Sequence, residues 1–374
     1  MKKVLLVTRP IVPPWDEASK NFAYFLGRSI ADHSLTLLTT SADRLEALPE
    51  STKQEPIYTS TIFNWKAKFD LFRYLRQSRG RFDVTHYLFT PTKFNTKALT
   101  IFAPITKGKT IQTVATLRSD LYSEAELKAL LFADRITVYT DATKQKLETM
   151  GVTNVERIYP GIDLEKYQPR PKNQAVLDSY KLTSEDFLVV YPGEYSRLGA
   201  TDYLVETLII YFSNPAAEPF VFLFACRIKN EADRTKREEV RERFRAASCL
   251  DRIRFDDGNA TADMATVYNT ADVIAFPVGD LRGKFDVPLV IIEAYASGKP
   301  VILSDLEAFR EFSNDQISVT IPRLDGQALI DTILYLKHNS DTRAAIGQTA
   351  RTYAETHFDL RETARAYADL YSSL

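Results

Sequence analysis

Short apolar runs alternate with amphipathic stretches along most of the chain. Residues 2–8 enclose an unbroken apolar core, Val4 to Val7, and residues 18–30 follow with Phe22, Phe25, Leu26 and Ile30 at helical spacing. Further runs at 35–38, 83–86, 110–115 and 135–139 predict four more strands with helices between them. Ser123 and Glu126 stand at the separation of a capping box, which predicts a helix start there. After a polar, proline-bearing stretch at 167–184 the alternation restarts, with strands predicted at 187–191, 220–225, 252–255, 273–276 and 300–303. Apolar strands alternating with amphipathic helices indicate parallel sheets covered on both faces. The expected fold class is therefore α/β, with two Rossmann-like, doubly wound parallel-sheet domains facing a cleft. The domains are expected at 1–170 and 171–357, with a last helix at 358–374 packing back onto the first.

Length supports the division, since 374 residues exceed one ordinary core. Lys and Arg total 48 against 49 Asp and Glu, so no bulk field favours nucleic acid as a partner. Two cysteines, Cys226 and Cys249, are too few for a disulfide framework and point to a reducing, cytoplasmic setting. The opening apolar run is cut by Arg9 and Pro10 and reads as a first strand, not a signal peptide. Nowhere do about 18 uncharged apolar residues run together, so no membrane-spanning helix is expected. Only 13 glycines are present, well under the usual fraction of roughly 7%, which leaves few for phosphate-cradling loops.

In open α/β sheets ligands bind outside the carboxyl ends of the strands, so the loops that follow the strands are the ones to inspect. The first, residues 9–21, holds no glycine, which disfavours a dinucleotide cofactor. Asp16, Glu17, Ser19 and Lys20 cluster there at a helix start, either capping it or recognising hydroxyls of a polar acceptor. In the second half, Gly193, Ser196 and Arg197 follow a strand and precede a helix, where backbone N–H groups and a guanidinium could hold a phosphate. Arg227 and Lys229 end the next strand, at the same sheet edge or as the start of a solvated charged helix. Cys226 reads as a small core residue.

Residues 276–300 are the richest segment. Arg282, Lys284 and Asp286 occupy a polar loop, and Glu293 is the one acid in the apolar stretch Val-Ile-Ile-Glu-Ala-Tyr-Ala. Such a carboxylate is costly without a partner; a ribose diol would supply two donors, and a neighbouring lysine a salt bridge. No Asp-x-Asp pair occurs and the histidines are scattered, so no catalytic metal is expected. His86 ends a strand, facing either the cleft and an acceptor or the core. Between Trp65 and Phe82 six basic residues face only Asp70, while Trp65, Phe69, Phe72 and Leu75 recur at helical spacing. That stripe would cover the first sheet or, over 65–82, make peripheral contact with anionic lipid at the inner face of the membrane.

Three segments give the chain a family resemblance. Tyr159-Pro-Gly-Ile-Asp through Pro169, the stretch 138–151 with Thr140-Asp-Ala-Thr143, and the segment 288–305 containing Glu-Ala-Tyr-Ala-Ser-Gly-Lys-Pro are similar to motifs of the retaining glycosyltransferases of family 4. The resemblance implies the GT-B fold, a nucleotide-sugar donor on the second domain and a glycan or lipid-linked acceptor on the first, as in polysaccharide biosynthesis. It implies transfer with retention and no cofactor beyond the nucleotide-sugar substrate. Glu293 matches the family's ribose-holding glutamate, while the first glutamate of that pair falls on Phe285. The family's diphosphate Arg and Lys fall on Glu194 and Gly199, and its cleft histidine falls on Ala115.

On this reading relocated cations take over. Arg197 and Arg227 would contact the diphosphate, with Gly193, Ser196 and Lys229 beside them. Gly258 and Asn259 would lie near the base. Asp286, Arg282 and Lys284 would meet the sugar, and Asp16, Glu17, Lys20 and His86 the acceptor. A catalytically silent nucleotide-sugar-binding protein and a nucleotide-sugar epimerase are the alternatives.

Overall fold

A computed structural model of the chain describes residues 1–13, 18–40, 45–46, 48–89, 91–102, 108–257, 263–281 and 286–374. The chain forms two compact units. The first comprises Met1–Gly161, Phe285–Val287 and Leu360–Leu374; the second comprises Ile162–Lys284 and Pro288–Asp359. The division thus falls ahead of position 170, and the last helix belongs to the first unit.

The first unit is built on β1 (Lys3–Val7), β2 (Ser34–Thr40), β3 (Lys53–Tyr58), β4 (Val84–Leu88), β5 (Lys109–Val114), β6 (Arg135–Val138) and β7 (Val155–Arg157). They pair in parallel in the order β3-β2-β1-β4-β5-β6-β7. Side chains alternate across a strand, so β1 serves two cores. Val4 and Leu6 pack with Phe22 and Leu26 of the helix Ala18–Ser29 and with Tyr367 and Tyr371 of the helix Leu360–Ser373. Leu5 and Val7 pack on the opposite face with Leu71 and Leu75 of the helix Trp65–Gln77.

That last helix starts where Asn64 accepts a hydrogen bond from the Ala67 N–H at 3.0 Å, and its buried face is Ala67, Asp70, Leu71, Tyr74 and Leu75. The expected aromatic stripe therefore divides. Leu75 covers the sheet and Phe72 packs partly against it, while Trp65 and Phe69 face outward, 71% and 66% exposed. The capping box is present: Ser123 accepts from the Glu126 N–H and the Glu126 carboxylate accepts from the Ser123 N–H at 2.9 Å, opening the helix Glu124–Leu130.

The second unit carries β8 (Leu188–Tyr191), β9 (Val221–Ala225), β10 (Ile253–Asp256), β11 (Val273–Phe276), β12 (Val301–Ser304) and β13 (Ser318–Ile321). They too are parallel, in the order β10-β9-β8-β11-β12-β13. β8, β9, β11 and β12 are buried along their whole length, as expected of strands covered by helices on both faces. The sequential order reverses between β8 and β11, and a crevice at such a switch point is where open α/β sheets take ligands.

Candidate functional site

The loops after β8 and β11 flank that switch point. Gly193 lies so close to the ring of Tyr191 that a Cβ there would sit 1.9 Å from the ring carbon bearing the hydroxyl, so no larger residue fits without moving the ring. Leu198 and Gly199 then turn the chain with positive φ, 72° and 61°. Leucine in that region is strained, and strain of this kind persists only where surrounding contacts hold it. Here Leu198 is buried and its carbonyl accepts the Gly279 N–H at 2.7 Å, which ties the β8 loop to the β11 loop. The helix Thr201–Phe212 opens directly after this turn. Its cap residue is Ala200, which offers no side-chain bond to the first-turn N–H groups.

A groove of about 500 Å³ opens over this turn, lined by Ser196, Arg197 and Gly199 on one side and Thr235 and Lys236 on the other. Glu194 is buried and organises the charge beside it. Its carboxylate faces the Arg197 guanidinium at 3.3 Å and accepts from Lys229 Nζ at 2.7 Å. Two of the expected phosphate cations are thus brought together, with an acid between them. Lys229 also fixes the chain, its N–H bonding Asp233 at 3.2 Å, and Asn230 caps the helix Glu231–Ala246 that follows. Arg227 is exposed on the β9 loop and does not line the groove. Cys226 is buried, its thiol pushed well up by burial, and is the core residue expected.

Glu293 sits on the helix Leu289–Ala296 of the same unit. Among the described residues no lysine salt bridge to Glu293 is formed: Lys299 instead donates to the Asn269 carbonyl at 2.9 Å, and burial lowers its pKa to about 8. Two phenols replace it. Tyr268 donates to Oε2 at 3.1 Å, and the Tyr167 phenol, its ring 6.2 Å from that of Tyr268, helps to hold the carboxyl's pKa down. Burial raises the Glu293 pKa to about 7 against the opposing pull of these phenols and of Lys166. The residue nevertheless keeps part of its surface open. Sequence reasoning missed both tyrosines and Glu194. The signal for the first two was the unpaired acid itself, which demands donors; nothing in the sequence distinguished these tyrosines from others.

The remaining expectations divide by unit. His86 is corrected: it is a core residue with no exposed surface. Its Nδ1 shares a hydrogen bond with the Tyr371 hydroxyl at 2.8 Å, its Nε2 one with Thr113 at 2.6 Å, and its ring stacks on Tyr367. Burial lowers its pKa to about 3, so the imidazole is neutral and meets no acceptor. Asp286 is corrected as well, because its partners lie in the first unit. Its carboxylate accepts the Thr143 hydroxyl at 2.7 Å and the Leu117 N–H at 3.4 Å, and its own N–H donates to the Ala115 carbonyl at 3.1 Å. It braces the loop after β5 instead of offering free oxygens to a sugar. Lys20 is buried on the helix Ala18–Ser29. Asp16, Glu17, Gly258, Asn259, Arg282 and Lys284 lie outside the described residues.

Residues 187–339, most of the second unit, match the family described as glycosyl transferases group 1. Among curated relatives, D-inositol 3-phosphate glycosyltransferase of Saccharomonospora viridis is 23% identical over 244 residues, 64% of this chain and 55% of that one. Phosphatidyl-myo-inositol mannosyltransferase of Mycobacterium leprae is 32% identical over 121 residues, 31% of this chain and 32% of that one. The chain spans about half the length of the first curated relatives it matches. Among solved structures, HepE of Anabaena in complex with UDP superposes with a TM-score of 0.77 at 16% identity, covering 100% of both chains. WaaG, a glycosyltransferase involved in lipopolysaccharide biosynthesis, gives 0.66 at 14% identity over 99% of both. The two α/β units are those of the GT-B fold, and the second carries the sequence pattern of group 1 glycosyltransferases.

Proposed function

We propose that this protein is a glycosyltransferase that takes a sugar from a nucleoside-diphosphate donor bound to the second unit and passes it to a hydroxyl of a glycan or lipid-linked acceptor, with retention. Glu293 carries the reading. A carboxylate stands at the family's ribose position, in an apolar helix, although leaving it there raises its pKa to about 7. A ribose diol would donate to the accessible part of that carboxylate while the Tyr268 phenol holds it in place. The diphosphate would meet Ser196, Arg197, Arg227 and Lys229 at the edge of the sheet. As the glycosidic bond breaks, negative charge grows on the leaving phosphate, and fixed cations in a partly enclosed site stabilise that charge. Arg282 and Lys284 are assigned to the sugar, Gly258 and Asn259 to the base, and Asp16, Glu17 and Lys20 to the acceptor.

The test is turnover of UDP-, GDP- and ADP-sugars with and without a pool of candidate acceptors, followed by NMR of the new anomeric centre. UDP-glucose is the first donor to try, because HepE has been crystallised with it. Transfer with retained configuration that is lost in Glu293→Ala supports the reading. Binding without turnover, or epimerisation of the free donor, overturns it.

A further inference from the structure

The outward face of the helix Trp65–Gln77 is unlike the rest of the surface. Trp65 and Phe69, one turn apart, are 71% and 66% exposed, and Ile62 just ahead of the helix is 70% exposed. Phe94, from the helix Lys93–Phe102, joins them: its ring meets Trp65 edge-on at 5.1 Å between centroids and is 49% exposed. Lys68 Nζ lies 4.8 Å from the Trp65 ring and 5.0 Å from that of Phe94. Aromatic side chains this open normally turn inward, and the same helix does so with Leu71, Tyr74 and Leu75 on its opposite side. The outward set is therefore not a shortage of core positions.

Charge identifies what would cover it. Lys66, Arg73, Arg76 and Arg79 are exposed on or just beyond this helix. The one acid between Trp65 and Phe82 is Asp70, which is buried and lies 3.9 Å from Arg73. An aromatic ridge edged by cations matches the boundary of an anionic bilayer, where rings enter the headgroup layer and cations stay at lipid phosphates. No helix among the described residues is long and apolar enough to cross a membrane, so contact through this face would be peripheral.

We propose that Ile62, Trp65, Phe69 and Phe94, with Lys66, Lys68, Arg73 and Arg76, form a docking surface for an anionic lipid membrane. The surface lies wholly on the first unit and stands independently of the proposed chemistry.

The experiment is co-sedimentation of the full chain with phosphatidylcholine vesicles, with and without phosphatidylglycerol. Binding is expected only to the anionic vesicles and should weaken as salt screens the cations. Trp65→Ser with Phe69→Ser should abolish it. Lys66→Glu with Arg73→Glu and Arg76→Glu should weaken it on the order of 5-fold or more per cation. All five positions are exposed, and unchanged thermal melts would show that the variants fold. Failure of the wild-type chain to bind anionic vesicles overturns the proposal, as does unaltered binding by the aromatic variant. Sedimentation velocity covers the other occupant: a dimer that the serine variants dissolve would mean the face meets a second copy of the chain.

Discussion

Replacing Glu293 by glutamine should make the second unit more stable and the protein a poorer nucleotide binder. In the folded chain this carboxyl titrates at about 7 instead of 4.5, chiefly because burial disfavours its charge. The unfolded chain therefore ionises first as pH rises. Folding loses stability between pH 4.5 and 7, and the loss levels off above that. Each unit of displacement is worth about 1.4 kcal/mol, so the full effect is near 3 kcal/mol. Residual solvent contact trims it to about 2–3 kcal/mol, which for a unit of this size raises the melting temperature by roughly 5–10 °C. Glutamine keeps the shape and an acceptor for one phenol but carries no charge. Calorimetry at pH 5 and pH 8 reads the effect: the variant should gain little at the lower value and melt well above wild type at the higher. Ribose hydroxyls would in turn lose a charged acceptor, each such bond being worth about 1.5–3 kcal/mol, so UDP should bind about 10–100-fold more weakly. A variant that melts below wild type at pH 8, or a gap equal at both pH values, would falsify the account of Glu293.

Three further outcomes follow from the site and the core. Glu194→Gln removes the acid between Arg197 and Lys229, and isothermal titration should show UDP binding tightened about 3–10-fold and more salt-sensitive; equal affinity would place the diphosphate elsewhere. His86 is held neutral, with its pKa lowered to about 3, so the stability it permits above pH 6.5 drains away as acid protonates the unfolded chain. His86→Gln should remove about 1.4 kcal/mol per pH unit from the acid slope between those values; far-UV circular dichroism across an acid titration reads it. Gly193→Ala, whose Cβ would strike the Tyr191 ring, should cost about 1–3 kcal/mol in urea unfolding of the second unit.

Apart from β10, an edge strand, the strands that apolar patterning reveals are central ones. β1, β8, β9, β11 and β12 are covered on both faces, and burial on both faces writes an apolar run. The strands it does not reveal, β3, β7 and β13, are all sheet edges, where half the residues meet solvent and Pro56 is tolerated. The site shows the same limit. Glu293 was legible because a charge in an apolar helix is locally anomalous. Glu194 was not legible as the hub of two cations, because its partners lie in another turn of the loop and on another strand's loop. His86 misled for the opposite reason: the end of a strand is near ligands in sequence, yet its orientation depends on Tyr367 and Tyr371, far along the chain.

That distant partnership bears on how the protein is made. Tyr367 and Tyr371 close the core around β1 and the helix Ala18–Ser29, so a ribosome that has translated the whole of the second unit still holds a first unit with an open seam. Residues that emerge earliest wait longest for their final neighbours, leaving Val4, Leu6, Phe22 and Leu26 in need of shelter during synthesis. A premature stop codon shortly before Tyr367 would therefore injure the first unit, most of which is made earliest, while leaving the second unit, complete by Asp359, whole.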